Sequence, residues 1–455
     1  MRRAVWWLIA AAVAIQVFLA IRFFGFLTGD DVEVLSEAFR RATGFNYQPW
    51  DVRNLFVPDF LVAPFVYVGG LRAATIPFIA LTALTIWLVY RLALRWSGDE
   101  RAAFAAALLF ALHWIPLGFG STVYPRTLAT ACIVAAALIV DRYPFAAGAL
   151  VGIAFADRFS EIVFLIPLII IARRRIAVLT GAAVAILVTV GLYDWITWGT
   201  PFSSAIKFGH LTLVEPDFAS RVKYQSPLWY LLNIVRWCAP TLLPLLYFAR
   251  RSFRWSFIII PLLALSFVRH KELRYLQAVI PFLAIAAGIG FAILYQRSRK
   301  WAVSLLLVSV IWDLHGLRYF AHKSMPAVMA ARALAADPHI KTVAASQLWA
   351  YGGQLYFGPR IGLRELQTPP RDLDRMLPGA DAAAVYESDL DHPEIVAALR
   401  AHGFVPWRTF RDGPARVVVV FRPSPGLRPP SPASGRGISS SFAPRSGEKV
   451  PRSGG

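Results

Sequence analysis

Apolar residues fall into repeated blocks along the chain, divided by short polar breaks that are mostly basic. Blocks at 4–24, 74–93, 102–119, 124–141, 145–157, 161–172, 176–193, 228–249, 255–268, 275–295 and 300–319 are candidates for membrane-crossing helices. About 20 apolar residues span the hydrocarbon core, and fewer suffice where the crossing is locally short. Segment 58–70 contains Pro58, Asp59 and Pro64 and is expected to be re-entrant or interfacial. Blocks 145–157 and 161–172 are also short and read as a hairpin turning at Asp157-Arg158. The pattern predicts an α-helical polytopic membrane protein with about 11 transmembrane helices plus that one re-entrant or interfacial segment.

The pattern changes after Lys323. Residues 326–336 and 392–402 read as helices; 341–346, 382–386 and the Val-rich run 415–421 read as strands. The expected organisation is a polytopic unit over 1–322, a small C-terminal α/β domain over 323–421, and a tail over 422–455. That tail is Pro, Ser, Gly and Arg with almost no apolar residues, a composition expected to be disordered. The sequence shows no internal repeat and no Gly-rich phosphate loop.

Composition removes the soluble alternatives. The chain is 57% hydrophobic and 16% charged with mean hydropathy +0.53, far from the roughly 25% charge of soluble domains. Its net charge of +20 would suggest nucleic acid in a soluble protein. Here the basic residues cluster between apolar blocks: Arg2-Arg3, Arg91 to Arg101, Asp141-Arg142, Arg173 to Arg175, Arg250 to Arg254 and Arg297 to Lys300. Such loops lie in the cytoplasm by the positive-inside rule, so no nucleic-acid partner is expected. The opposite set of loops, 28–57, the stretch before Arg126, 194–225, 270–274 and the region after 320, then faces outward. Cys132 and Cys238 sit in apolar blocks and form neither a disulfide framework nor a zinc site. The first block follows Met1-Arg2-Arg3 without an Ala-x-Ala-like site and reads as a retained helix.

The chemically notable residues gather on the outward side. Loop 28–57 carries Asp30, Asp31, Glu33 and Glu37, acids suited to a general base or a cation, against the plain reading of a solvated loop. Arg53, Arg126, Arg158 and Arg274 lie at membrane depth or its edge, where an ionisable group needs a partner or a cavity. Pairing with the adjacent Asp51 and Asp157, or snorkelling to the interface, would be the bland account for them. His270-Lys271-Glu272-Leu273-Arg274-Tyr275 packs five polar or ionisable side chains into six positions. Arg and Lys together suit a phosphate, while a charged loop cap is the alternative. Tyr193 to Phe202, with Trp198, and Tyr224 to Tyr230, with Trp229, offer rings for sugar faces or for an interfacial belt. Acids, basic groups and aromatics on one face fit a polyprenyl-phosphate-linked substrate.

These segments resemble glycosyltransferase family 22, the membrane α-mannosyltransferases of the GT-C superfamily, over about residues 25–282. His270-Lys271-Glu272-x-Arg274-Tyr275 followed by Pro281 is similar to the family's His-Lys-Glu-x-Arg-Phe/Tyr signature. Asp30-Asp31 with Glu37 resembles its first-loop acids, Trp50-Asp51 and Arg53-Asn54 its Trp-Glu and Arg-Ser, and Arg126-Thr127-Leu128 its Arg-Thr-Leu. Arg158 occupies the place of a family Arg. Asp194, Trp198-Gly199 and Tyr224 to Tyr230 resemble its later Asp, Tyr-Gly and aromatic pieces. Asp31 replaces the usual Glu, and Thr130 stands where Asn is frequent.

The resemblance implies a GT-C fold and an inverting transfer from a polyprenyl-phosphate sugar, mannose first, to a glycan or glycolipid acceptor. It implies Asp30 as base with Asp31 the second choice. His270, Lys271 and Arg274 would hold the phosphate, helped by Arg126 or Arg158 and with Arg53 near the substrate, while Glu272 orients them. Glu37, Trp50, Trp198, Tyr224 and Trp229 would contact sugar or acceptor. No cofactor is required; a divalent cation on Asp30-Asp31 would lack identifiable further ligands. The expected setting is a bacterial inner membrane with the site facing the periplasm. Alternatives are another sugar, a protein acceptor, or a lipid-linked-sugar flippase, which would need charges through the membrane thickness and repeated halves.

Overall fold

The computed structural model describes residues 1–24, 29–44, 49–214, 225–323, 325–346, 353–357, 360–366 and 372–424. Tyr224 and tail residues 425–455 lie outside the described residues. Helices dominate the first part: α1 (Arg2–Arg22), α2 (Gly29–Thr43), α3 (Ala63–Ala73), α4 (Ile76–Ser97), α5 (Glu100–Leu112), α6 (Trp114–Phe119), α7 (Arg126–Ile139), α8 (Pro144–Asp157), α9 (Leu165–Ile171) and α10 (Arg175–Ile186). Five helical stretches among the described residues are long and apolar enough to cross a membrane: α1, α4, Arg175–Trp198, Ile280–Arg297 and the run opening at Arg299. α7, α8, Phe159–Ile171 and Ser256–Phe267 are shorter apolar helices. Helix Ile280–Arg297 is buried along most of its length and packs against α5, α4 and the helix Leu242–Ala249, forming the centre of the bundle.

Two apolar blocks are interrupted. Block 102–119 breaks at His113, which adopts an extended conformation and accepts a hydrogen bond from the Ile115 N–H at 3.2 Å, so it ends α5 and caps α6. Block 228–249 is split into Trp229–Leu232, Ile234–Trp237 and Leu242–Ala249. Cys238 is extended, and Pro240 lacks the N–H that would continue the ladder.

Stretch 28–57, read from sequence as a loop, contains the amphipathic helix α2. Val32, Leu35 and Ala38 recur on one face and are fully buried. They pack on Val62, Ala63 and Val66, where a π-turn over Pro58–Val62 leads into α3. The ladder of α3 is broken at Gly70, whose φ of 68° is a conformation free of steric cost only for glycine.

α8 and α10 pack backbone to backbone. A Cβ on Gly148 would strike the Val178 carbonyl, and one on Gly181 would strike the Phe145 carbonyl. Gly148 and Gly152 form a Gly-x-x-x-Gly face of the kind that lets membrane helices approach closely.

The last part forms a sheet of five strands, β1 (Thr342–Ser346), β2 (Gly362–Leu366), β3 (Ala382–Tyr386), β4 (Phe404–Phe410) and β5 (Val418–Pro423). Their order across the sheet is β2-β1-β3-β5-β4. β1 pairs parallel with β2 and β3, while β3–β5 and β5–β4 are antiparallel. β5 therefore extends past the expected tail boundary at 422. Helix Met325–Ala335 covers one face, with Ala327, Ala331 and Leu334 against Val343 and Val420. Helix Pro393–Ala401 covers the other, with Ile395 and Leu399 against Ala344 and Val419. β3 is buried throughout, as a strand covered on both faces must be. β2 and β4 were not anticipated: β4 is largely exposed between its ends and lacks a buried apolar run.

This region also packs against the helical bundle. Val328 and Leu355 join the cluster around Val32 and Leu35 of α2. Arg22, at the end of α1, donates to both Asp412 carboxylate oxygens at 2.6 and 2.8 Å.

Candidate active site

A cavity of ≈ 190 Å³ lies between α2, segment 49–58, the N-terminus of α7, the end of α8 and the loop around His270. Each wall presents its polar residues for a local reason. Asp30 sits in the first turn of α2, where unpaired backbone N–H groups favour a carboxylate. Arg126 opens α7. Arg158 follows the last residue of α8 and is extended, which turns its side chain away from the helix. Arg274 lies in a single 3₁₀ turn, Leu273–Leu276.

Asp30 is the common partner of three arginines. Its Oδ1 accepts from Arg53 at 2.6 Å, while Oδ2 lies 3.0 Å from Arg158 and 3.1 Å from Arg274. Arg53 also donates from Nε to Glu33 at 3.0 Å and lies over the Trp50 ring. Arg274 also meets Glu272, whose other oxygen is 3.1 Å from His270 Nε2. Arg126 pairs with Glu161, donates to Ser160 Oγ at 3.1 Å, and lies over the Tyr275 ring at 4.7 Å.

The electrostatics follow from this crowding. Burial alone would raise the Asp30 pKa, but Arg158, Arg274 and Arg53 outweigh it and hold the carboxyl well below the usual range. Burial would likewise raise Glu272, and Arg274 with His270 brings it below normal. Glu33 goes the other way: burial prevails over Arg53, aided by repulsion from Asp30, and lifts it above its ordinary value. Three buried guanidinium nitrogens, Arg126 Nε, Arg158 Nε and Arg274 Nη1, have no hydrogen-bond acceptor among the described residues. An anion with several oxygens is the chemistry that satisfies such donors.

Of the residues singled out from sequence, Asp30, Glu37, Trp50, Arg53, Arg126, Arg158 and His270 line the cavity. Arg274 reaches it through Asp30. Asp31 is fully buried and does not line the cavity, because successive helical residues point about 100° apart. Lys271 is also buried; its Nζ donates to the carbonyls of Gln225 at 3.0 Å and Val268 at 2.5 Å, fastening the loop. Trp198 and Trp229 lie outside the cavity lining, Trp229 against Tyr230, and Tyr224 is outside the described residues. Glu37 is tied to Arg40 at 2.5 and 2.8 Å.

The neighbour pairings considered from sequence do not form. Arg158 turns to Asp30, and Asp157 instead accepts from the Ala129 N–H at 3.0 Å. Asp51 pairs with Lys207 at 2.7 Å, and Arg53 with Asp30 and Glu33. Glu161 was missed; a carboxylate inside the apolar run Phe159–Phe164 was the available signal. Among the described residues, no group of three His, Cys, Asp or Glu side chains converges as a metal-ligand set.

The Alg9-like mannosyltransferase family model matches residues 70–336. The chain belongs to the Alg9-like mannosyltransferase family. It is a membrane glycosyltransferase. The matched span holds Arg126, Arg158 and the 270–275 motif of this Alg9-like protein, whereas Asp30 and Arg53 precede it. No curated protein matches the chain. Solved structures agree in fold. ArnT from Cupriavidus metallidurans in the apo state superposes with TM-score 0.64 at 16% identity, over 92% of this chain and 98% of that one. The same protein bound to undecaprenyl phosphate gives 0.61 at 15%, over 91% and 97%. Archaeal oligosaccharyltransferase AglB from Archaeoglobus fulgidus, in complex with an inhibitory peptide and a dolichol-phosphate, gives 0.52 at 11%, over 94% and 75%. The Alg9-like chain thus has a GT-C architecture.

Proposed function

We propose that this protein transfers a sugar, mannose first, from a polyprenyl-phosphate donor to a hydroxyl of a glycan or glycolipid acceptor, with inversion at the anomeric carbon. The observation that carries this reading is the Asp30 carboxylate on the cavity wall beside Arg53, Arg158 and Arg274. Asp30 takes the proton of the acceptor hydroxyl, whose oxygen bonds to the anomeric carbon as the bond to phosphate breaks. The electron pair leaves on the lipid phosphate. Arg158, Arg274 and Arg126 carry that charge as fixed donors that stabilise it without reorganising. Trp50, beneath Arg53, and Glu37, on the α2 wall, meet sugar or acceptor in this reading. ArnT with undecaprenyl phosphate and AglB with dolichol-phosphate lend support to a polyprenyl-phosphate donor.

The orientation in this reading rests on the basic loops. Arg91 to Arg101, Arg173 to Arg175 and Arg250 to Arg254 face the cytoplasm, which puts Asp30, the His270 loop and the C-terminal sheet on the outer face. About 11 crossings with one interfacial segment at 58–70 satisfy that arrangement, and a bacterial inner membrane is the setting. The test is transfer by purified protein in nanodiscs from radiolabelled polyprenyl-phosphate mannose into an acceptor-lipid extract. Label entering acceptor is the expected result. No transfer from this donor, with an extract shown competent by another enzyme and label moving from a different polyprenyl-phosphate sugar, overturns mannose but not the class. No transfer from any such donor overturns the reading.

A further inference from the structure

We infer that Asp30 and the donor phosphate compete for Arg158 and Arg274, so that donor binding itself releases the base for use. This rests on the functional reading above and concerns how that site is switched on. One carboxylate oxygen, Oδ2, is held by both arginines, at 3.0 and 3.1 Å, while Oδ1 is held by Arg53 alone. The two groups of arginine are not equivalent. Arg53 has Glu33 as a second carboxylate partner and Trp50 beneath it, so it has no need of the incoming anion. Arg158 has Asp30 as its sole carboxylate partner among the described residues, and its Nε lacks an acceptor. Arg274 keeps Glu272 on one side and has an acceptor-less Nη1 on the other.

A carboxylate held by three guanidiniums is a weak base, because each ion pair favours the charged form over the protonated one. A phosphate bearing several oxygens is the stronger competitor for a planar fork of N–H donors. When it draws Arg158 and Arg274, Asp30 loses both partners on Oδ2 and keeps Arg53 on Oδ1. The freed oxygen is then the one available to an acceptor hydroxyl. Besides Arg158 and Arg274, the charged and titratable groups that face Asp30 are Arg53, Glu33, Glu272, Tyr124 and Tyr275. Proton abstraction is thereby confined to the donor-loaded enzyme, and the base is masked while no leaving group is present.

The competition has a direct readout without turnover. Undecaprenyl phosphate is titrated into full-length protein in nanodiscs, comparing wild type with Asp30→Asn, Asp30→Ser and Glu33→Gln. Removing the competing carboxylate is expected to tighten lipid-phosphate binding about tenfold in both Asp30 variants. Glu33→Gln removes the same charge from the same wall but leaves Asp30 on its arginines, and its affinity is expected to stay within about twofold of wild type. The two Asp30 variants differ in shape, so a folding defect in one leaves the other to report. Equal or weaker binding in the Asp30 variants overturns the competition while the donor reading stands. Equal tightening in Glu33→Gln also overturns it, since unspecific charge then explains the gain. No lipid-phosphate binding by wild type or any folded variant overturns the donor reading and this inference together.

Discussion

Asp157 accepts a hydrogen bond from the Ala129 N–H at 3.0 Å, tying the end of α8 to the first turn of α7 and leaving its neighbour Arg158 to Asp30. The first N–H groups of a helix have no partner within it, and a carboxyl oxygen there serves as their acceptor. Replacement of Asp157 by Ala is expected to cost about 1–2 kcal/mol, as loss of a helix cap does. Thermal unfolding in detergent checks it. Because Arg126 and Arg158 sit on the two helices so joined, the donor KM is expected to rise as well.

Asp30→Asn is expected to lower kcat by about a hundredfold or more, the scale of a lost general base. Asp31 faces away from the cavity, so Asp31→Asn is expected to retain most of kcat. Steady-state transfer assays on both variants separate these roles.

Acid stability should also differ at Asp30. A carboxyl whose folded-state pKa lies below its unfolded value, about 3.9 for Asp, adds stability above that value and loses it as pH falls through the folded pKa. Asp30 is of this kind. The Tm of wild type is therefore expected to exceed that of Asp30→Asn by a constant margin from about pH 8 to pH 5, with the gap closing only below about pH 4. A gap that closes near neutral pH would contradict the depressed value.

Lys271 and Arg274 share a motif but are expected to fail differently. Lys271 Nζ fastens two backbone carbonyls, so Lys271→Met is expected to cost about 1–3 kcal/mol in stability while donor KM stays nearly unchanged. Arg274→Gln is expected to lower kcat/KM by about a hundredfold, since in the proposed reaction it removes a donor to the leaving phosphate. Kinetics and unfolding measured on the same preparations distinguish loop fastening from phosphate contact.

Arg126 and Glu161 form a pair with both side chains almost fully enclosed. Breaking such a pair from one side strands a buried charge at about 3–5 kcal/mol, so Glu161→Gln is expected to be strongly destabilised. The double variant with Arg126→Gln is expected to recover much of that loss, which a double-mutant cycle by thermal unfolding measures.

The apolar blocks were legible because hydrocarbon burial writes itself as composition, and nearly every block contains helix. The breaks at His113 and Cys238 were not, since a single capping imidazole or a proline two residues on alters the backbone without lowering hydropathy. α2 was read as a loop because its acids dominate its average, although Val32, Leu35 and Ala38 carried the helical spacing. Among site residues, Arg53, Arg126, Arg158 and Arg274 stood out by charge in apolar surroundings. Their partners did not: Asp30 lies more than 100 positions from two of the arginines it meets, and no local spacing encodes that. Lys271 shows the converse. A motif fixes which residue is present and leaves open whether its head group faces the cavity or the backbone.

Arg158 stands at the tip of α8, and α8 is set against α10 by glycines whose missing side chains let the two backbones touch. The Arg158 guanidinium that meets Asp30 is thus mounted on a stiff post whose footing lies among apolar helices, away from the cavity. One added methyl group at Gly148 or Gly181 pushes the post aside, and the displacement is delivered as a charge in the wrong place, where an ångström is enough to be felt in the rate. Under the proposed function, catalytic alignment is inherited from helix packing outside the cavity, and the cavity could keep every one of its own residues and still fall silent.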